Sequence, residues 1–261
     1  MRPLGEADRI LTLFCQERGK LDGVAKGVRK TRSKFGARLD FFARSRLTLH
    51  AGRSLDIITG ATLVAGAWER LVEPDVFRLV SYVAEVVDAL CEPDLAVPDI
   101  YDMLCEFQEA LSVAAAPVQT RSLQSVFDLR ALAALGLGLE LDACARCGTP
   151  LGRRPFAGGR AALSPEAGGL VCRQCIDAGS ADPGEMRREL RIVRISSREF
   201  ELLRQARSMT FKEAATRSDV GALAQVSHAF VQHHLGRVSK ALGPYEGKRG
   251  LPRTVLSGSS H

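Results

Sequence analysis

Long apolar runs are missing from this 261-residue sequence. No window of about 18 consecutive apolar residues occurs, which leaves no conventional membrane-spanning helix to be expected. The opening, MRPLGEADRILTLF, has neither a long apolar segment nor a small-residue cleavage site, so a secretory leader is not expected and the chain reads as soluble and cytoplasmic. Catalytic signatures are equally scarce. There is no GxxxxGK followed by Ser or Thr, hence no P-loop motor, and no HExxH. Gly136-Leu137-Gly138 lacks the third glycine and the preceding strand of a dinucleotide fingerprint, and reads as a helix end. No nucleophile elbow, acidic metal cluster or internal repeat stands out. Aromatic residues are only 6% of the chain, and its basic region holds just Phe35, Phe41 and Phe42 as candidate stacking partners for bases. That scarcity favours contact with a backbone over readout of particular bases.

Positive charge is what the chain has in excess, and it is unevenly placed. The net charge is +6, yet Met1 to Arg53 alone holds thirteen Lys or Arg against five Asp or Glu. Its densest part is Gly19 to Gly36, GKLDGVAKGVRKTRSKFG, where Lys20, Lys26, Arg29, Lys30, Arg32 and Lys34 face only Asp22. Cations crowded this closely repel one another unless a polyanion is near, and release of condensed counterions from a nucleic-acid backbone is the usual compensation. A solvated loop without a ligand is the plainer alternative.

Periodicity divides the chain in two. Ile10 to Cys15 is an apolar strand that turns at Gly19 into a partner from Leu21 to Val28. After the basic loop, Ala43, Ser45, Leu47 and Leu49 alternate with Arg44, Arg46, Thr48 and His50, and Leu55 to Ala61 follows as a β-branched strand. Short strands joined by glycine turns on a basic chain point to a small five-stranded barrel of the OB type. From Leu63 the period changes to nearly four. A stripe including Leu71, Val72, Val76, Phe77, Leu79, Val80, Val83, Val86, Val87 and Leu90 predicts one helix; Ile100 to Leu111 predicts a second and Leu123 to Leu135 a third. Ser196 with Glu199 offers a capping box, and Asp219 a cap for a last helix running through Leu242. The expected fold is α+β: residues 1–66 an OB-like domain, 67–242 a helical domain with a zinc-ribbon insertion at about 142–178, and 243–261 a mobile tail.

The most specific motif is a pair of CxxC knuckles, Cys144-Ala-Arg-Cys147 and Cys172-Arg-Gln-Cys175. Each knuckle aims two thiolates at a common centre, and two knuckles complete a tetrahedron around one zinc ion. With all four positions taken by sulfur, such an ion is structural. Cys15, Cys91 and Cys105 sit on apolar faces and read as small hydrophobes, while an odd total of seven argues against a disulfide scaffold. His228, His233 and His234 lack the i, i+4 spacing of two ligands on one helix face, and read as surface or capping residues.

Taken together, GEADRILTLFCQERGKLDGVAKGVRKTRSKFG, the LDFF and LTLHAGRSLDII segments, VFDLRALAALGLGLELDACARCG and HHLGRVSK resemble the RecO family of bacterial recombination mediators over most of the chain. The resemblance implies an OB domain that binds single- and double-stranded DNA, with Lys20, Lys26, Arg29, Lys30, Arg32, Lys34 and Arg38 on phosphates. It also implies a helical domain bearing zinc at Cys144, Cys147, Cys172 and Cys175. Partners implied are RecR, the acidic C-terminal tail of single-strand-binding protein and, indirectly, RecA, at the nucleoid in the cytoplasm. Arg121 and Arg130 beside the third helix are of the type to hold that tail's carboxylate, or are ordinary solvated arginines. Relatives usually carry a further apolar strand ahead of the segment matching Arg2 to Glu6, so the barrel either lacks its first strand or begins upstream of Met1. The expected function is non-enzymatic: binding and annealing DNA and helping to load recombinase. A zinc-ribbon RNA-processing or RNA-modifying enzyme, and an adaptor whose basic loop meets an acidic protein, are the other readings.

Overall fold

The structure is a computed structural model describing residues 1–30, 33–66, 68–112, 114, 117–151, 160–178, 190–236 and 241. The expected tail and Arg32 lie outside the described residues. The fold is α+β. Its N-terminal part is a five-stranded sheet: β1 (Arg2–Leu4), β2 (Asp8–Cys15), β3 (Gly19–Ala25), β4 (Arg44–His50) and β5 (Asp56–Ala65), in the order β1-β2-β3-β5-β4. The parallel pairing of β3 with β5 sets β4 outermost, an arrangement consistent with an OB-type domain. Arg2 to Leu4 pair antiparallel with Ile10 to Asp8, so β1 is the edge strand on that side of the sheet. β3 stops at Ala25, three residues short of the expected Val28, where Gly27 takes a left-handed φ of 69°. A small core of Leu11, Ala25, Phe35, Leu39 and Ile58 fills the inner side of the sheet, with the helical turn Gly36–Leu39 contributing its lid.

The remainder is mostly helical: α1 (Trp68–Leu71), α2 (Pro74–Leu90), α3 (Pro98–Leu111), α4 (Pro117–Ala134), α5 (Arg173–Asp177), α6 (Ser197–Ala206), α7 (Phe211–Ala214) and α8 (Ala224–Leu235). Strands β6 (Arg160–Ser164), β7 (Gly169–Leu170) and β8 (Val193–Ser196) form a separate three-stranded sheet in the order β7-β6-β8. Three long helices begin at proline, whose fixed φ suits the first turn and whose missing N–H loses no bond there. The capping box at Ser196 and Glu199 is formed, and a second one, Thr210 with Glu213, starts α7. The last helix departs from expectation. Asp219 makes no side-chain cap but pairs with Arg217 at 2.7 Å, and α8 ends at Leu235 because Gly236 takes φ 64°.

Two residues of the apolar stripe are not core. Val72 is 81% exposed and Phe77 51% exposed, because both lie on the flank of the α1–α2 unit that no other helix among the described residues covers. At the opposite extreme, α4 is enclosed on nearly all sides, so its polar residues Ser122, Gln124, Ser125 and Asp128 are buried with Leu123, Val126, Phe127, Leu129 and Leu132. The fully buried Asp128 carboxylate accepts hydrogen bonds from the Tyr82 hydroxyl and the Ser227 hydroxyl, both at 2.7 Å. His228, expected at the surface, is buried with Nδ1 3.2 Å from the same Tyr82 oxygen. Burial pushes the Asp128 carboxyl up to about 7, although Tyr82 and Ser227 hydrogen-bond its charged form, and pulls His228 down to about 4.

Sheet and helices are joined along one seam. Gly19, at φ 65°, brings β3 so close to the loop after α2 that an added Cβ would lie 1.8 Å from the Leu95 carbonyl oxygen. Asp94 N–H donates to the Lys20 carbonyl at 2.8 Å, and the Lys20 ammonium reaches the Asp88 carbonyl and carboxylate at the end of α2. On the far side of the seam Gln108 Nε2 donates to the Phe42 carbonyl at 2.8 Å, and the Phe42 ring meets Phe107 edge-on at 6.1 Å.

Gly19→Ala is therefore expected to cost more than about 2 kcal/mol, since both backbone strain and a backbone clash oppose it; a shift in the thermal or urea midpoint measures this. Asp128 gives a pH dependence of known sign. Its folded pKa lies above the unfolded value, so its proton stabilises the fold at low pH and that stability is lost as pH rises toward about 7. Asp128→Asn should gain on the wild type by about 1.4 kcal/mol per pH unit between about pH 4 and 7 and level off above, as read by urea unfolding across that range.

Candidate nucleic-acid interface and four-cysteine cluster

The cations of the basic stretch go to different places. Lys26, Arg29 and Lys30 are exposed on the turn that leaves β3, and that turn is fixed. Gly27 N–H donates to the Asp8 carboxylate at 2.7 Å, Arg29 N–H to the Ala7 carbonyl at 3.0 Å, and Lys30 N–H to the Gly27 carbonyl at 3.2 Å. The turn is thereby tied to the β1–β2 connection, and three charged side chains project from a backbone with little freedom. Arg9, across the ladder from Ala25 and exposed, adds a cation beside them that the charge run did not include; its place follows from strand register alone.

Lys34 and Arg38 form a second group. Lys34 Nζ donates to the Thr59 carbonyl at 2.9 Å and sits 4.9 Å above the Phe35 ring. Arg38 Nη1 donates to the Lys34 carbonyl at 2.9 Å and the Phe35 carbonyl at 3.3 Å. Both remain exposed, with their aliphatic stems held along the sheet. Phe35 is itself buried in the small core and presents no face to a base.

Lys20 does not join them. Its side chain is 16% exposed and points into the seam, where Asp88 and the Asp88 carbonyl satisfy it. Alternation is the reason: in β3 the residues flanking Lys20 face the sheet core, and the opposite side at this end of the strand is occupied by α2. Arg130 is likewise engaged. Its guanidinium pairs with Glu106 at 2.7 Å and lies 4.7 Å above the Phe211 ring, while Glu106 also accepts the Phe211 N–H at 2.9 Å. Arg121 is exposed on α4.

The four cysteines converge. Their sulfur atoms all lie within 4.8 Å of one another, and Cys147 Sγ and Cys172 Sγ are 3.8 Å apart. A tetrahedron of thiolates about 2.3 Å from a zinc ion has edges of about 3.8 Å, so the cluster fits zinc binding. The local fold makes it. Gly148 at φ 70° closes the first knuckle by donating to the Cys144 carbonyl at 2.8 Å, and Cys172 caps α5, its sulfur accepting the Cys175 N–H at 3.4 Å. Cys172 N–H in turn approaches Cys144 Sγ at 3.3 Å, linking the knuckles. Bonding to the Thr149 hydroxyl and N–H holds the Cys147 thiol down at about 6, whereas desolvation and its sulfur neighbours push Cys175 up to about 12. Four thiolates together would need a cation at the centre.

A five-stranded OB-type sheet with a cationic turn, followed by a helical part carrying a tetrathiol cluster, defines a class: two-part α+β proteins that join an OB-type domain to a helical domain with a candidate metal centre. The chain matches the model described as Recombination protein O N terminal over residues 1–67 and that described as Recombination protein O C terminal over residues 75–242. It is also 37% identical over 183 residues to a DNA repair protein RecO from Thermobifida fusca (strain YX), covering 69% of this chain and 71% of that relative. The chain belongs to the RecO family of DNA repair proteins. No helix among the described residues is long and apolar enough to cross a membrane.

Proposed function

We propose that this chain is a non-catalytic recombination mediator that grips single- and double-stranded DNA by its sugar-phosphate backbone, anneals complementary strands and helps load recombinase on protein-coated single strands. The observation that carries the reading is the turn bearing Lys26, Arg29 and Lys30, which is exposed, cationic and tied to the sheet through Asp8 and Ala7. Lys34 and Arg38 extend the same charge along the sheet, and Arg32 belongs with them by sequence. A backbone held in advance loses little entropy when phosphates arrive, and each cation displaces a condensed counterion. The division of labour follows the two parts of the chain: residues 1–66 hold nucleic acid, and 67–242 form the scaffold that receives RecR and the acidic tail of single-strand-binding protein. For that tail we keep both Arg121, exposed on α4, and Arg130, which would have to leave Glu106 and the Phe211 ring to take a carboxylate. The setting is the cytoplasm, at the nucleoid.

The cysteine cluster holds one structural zinc ion in this reading. When bound, zinc would supply the positive charge that lets four thiolates share one site, and would staple the segment before β6 to α5.

Five exposed cations should give a log–log slope of DNA affinity against salt of about −4 on duplex DNA. Changing Lys26, Arg29 and Lys30 together to Ala should flatten it by about 3. Lys20→Ala, by contrast, should leave the slope alone and lower the unfolding temperature; fluorescence anisotropy and thermal melts separate the two, and an unaltered slope in the triple variant would count against the assignment. Metal analysis should return about one zinc per chain, lost together with thermal stability in Cys144→Ser; metal-free protein with the same melt would remove the zinc from the scheme.

A further inference from the structure

We infer that Phe77 and Phe41 form a stacking step for one unpaired nucleobase at the seam between sheet and helices; this rests on the reading that the chain binds nucleic acid. A single exposed phenylalanine is ordinary. Here the Phe77 ring, 51% exposed on α2, lies 5.9 Å from the half-buried Phe41 ring at an interplanar angle of 57°. Two aromatic side chains from different parts of the fold therefore meet where the core reaches the surface, Phe41 packing on the core and Phe77 facing outward.

The backbone is distorted where this pair forms. Phe42 has φ 61°, a left-handed conformation that costs a residue with a Cβ roughly 1 kcal/mol or more. Consecutive rings consequently take different partners: Phe42 packs inward on Phe107, and Phe41 packs on Phe77. Gln108, donating to the Phe42 carbonyl, holds the arrangement.

Charge beside the pair is mixed, with two arginines that a phosphate chain could engage and the carboxylates of Asp40 and Asp75 opposing them. Arg78, next to Phe77 in sequence, is 55% exposed and touches Asp75 only at 3.8 Å. Arg38, three residues before Phe41, is exposed and belongs to the cationic group already described. Asp40 is the opposing carboxylate on the same turn. An aromatic face flanked by arginine suits a base of any identity, since every base has a π-face. A protein partner fits less well. Phe41 and Phe77 offer at most about 500 Å², and Val72 on the same flank adds little more, against about 800 Å² per partner in a stable interface.

The test compares an oligothymidine with an abasic strand of the same length, with thermal melts confirming that each variant is folded. Phe77→Ala should weaken oligothymidine binding about tenfold while leaving abasic binding and the salt slope as in wild type. Phe77→Trp should keep or improve oligothymidine affinity. Should Phe77→Ala bind both strands like wild type, or lose both equally, the stacking step is wrong while the backbone-binding reading stands. If the wild type binds neither strand, both readings fall.

Discussion

The contact on which the arrangement depends is the close approach of β3 to the loop after α2. Gly19 has no side chain there because the Leu95 carbonyl takes its place, and Lys20 turns its charge inward to Asp88. A cation spent on this joint is lost to any polyanion. In return, the sheet is held in one orientation on the helices, and the cations further along the same chain are carried outward. Gln108 and Phe107 secure the other end through Phe42. Between these two anchors the N-terminal sheet has a fixed pose on the helices.

The helical part solves a different problem. Its central helix α4 is buried on nearly all sides, and a helix so placed normally carries apolar residues all round. This one carries Asp128, Ser122, Gln124 and Ser125. Hydroxyls from Tyr82 and Ser227 satisfy the carboxylate without any cation, which makes the core sensitive to proton activity near neutrality. A buried polar group with directional partners also fixes which helices meet, because any other pairing would leave the carboxylate unsatisfied. The tetrathiol cluster ties the segment before β6 to α5, a five-residue helix with no buried residue of its own, while β6 and β7 pack into the main core through Ala161, Leu163 and Leu170.

Local patterns were legible where local physics decides. The alternation of Leu47 and Leu49 with Arg46, Thr48 and His50 survives as β4, and the Ser196–Glu199 box begins α6. The knuckles at Cys144 and Cys172 meet because each is a tight turn written in four residues. Legibility failed where a neighbour distant in sequence intervened. Lys20 looked like its fellow cations until α2 covered it; Phe77 looked like core until no helix covered it; His228 looked like a surface residue until Tyr82 did. Helix ends were misread for a smaller reason: Gly236 terminates α8 by its left-handed φ, whereas the apolar pattern runs on toward Leu242.

Composition and spacing were enough to establish an acid-poor, cation-rich amino-terminal portion, strands followed by helices, and two CxxC knuckles, since each depends on residues close together along the chain. Which cations face solvent, which carboxylate lies in the core, and where two phenylalanines meet at a seam depend on what packs against each residue from elsewhere. Only the folded chain supplies those neighbours, and burial, not residue type, then decides whether a charge binds a ligand or holds the protein together.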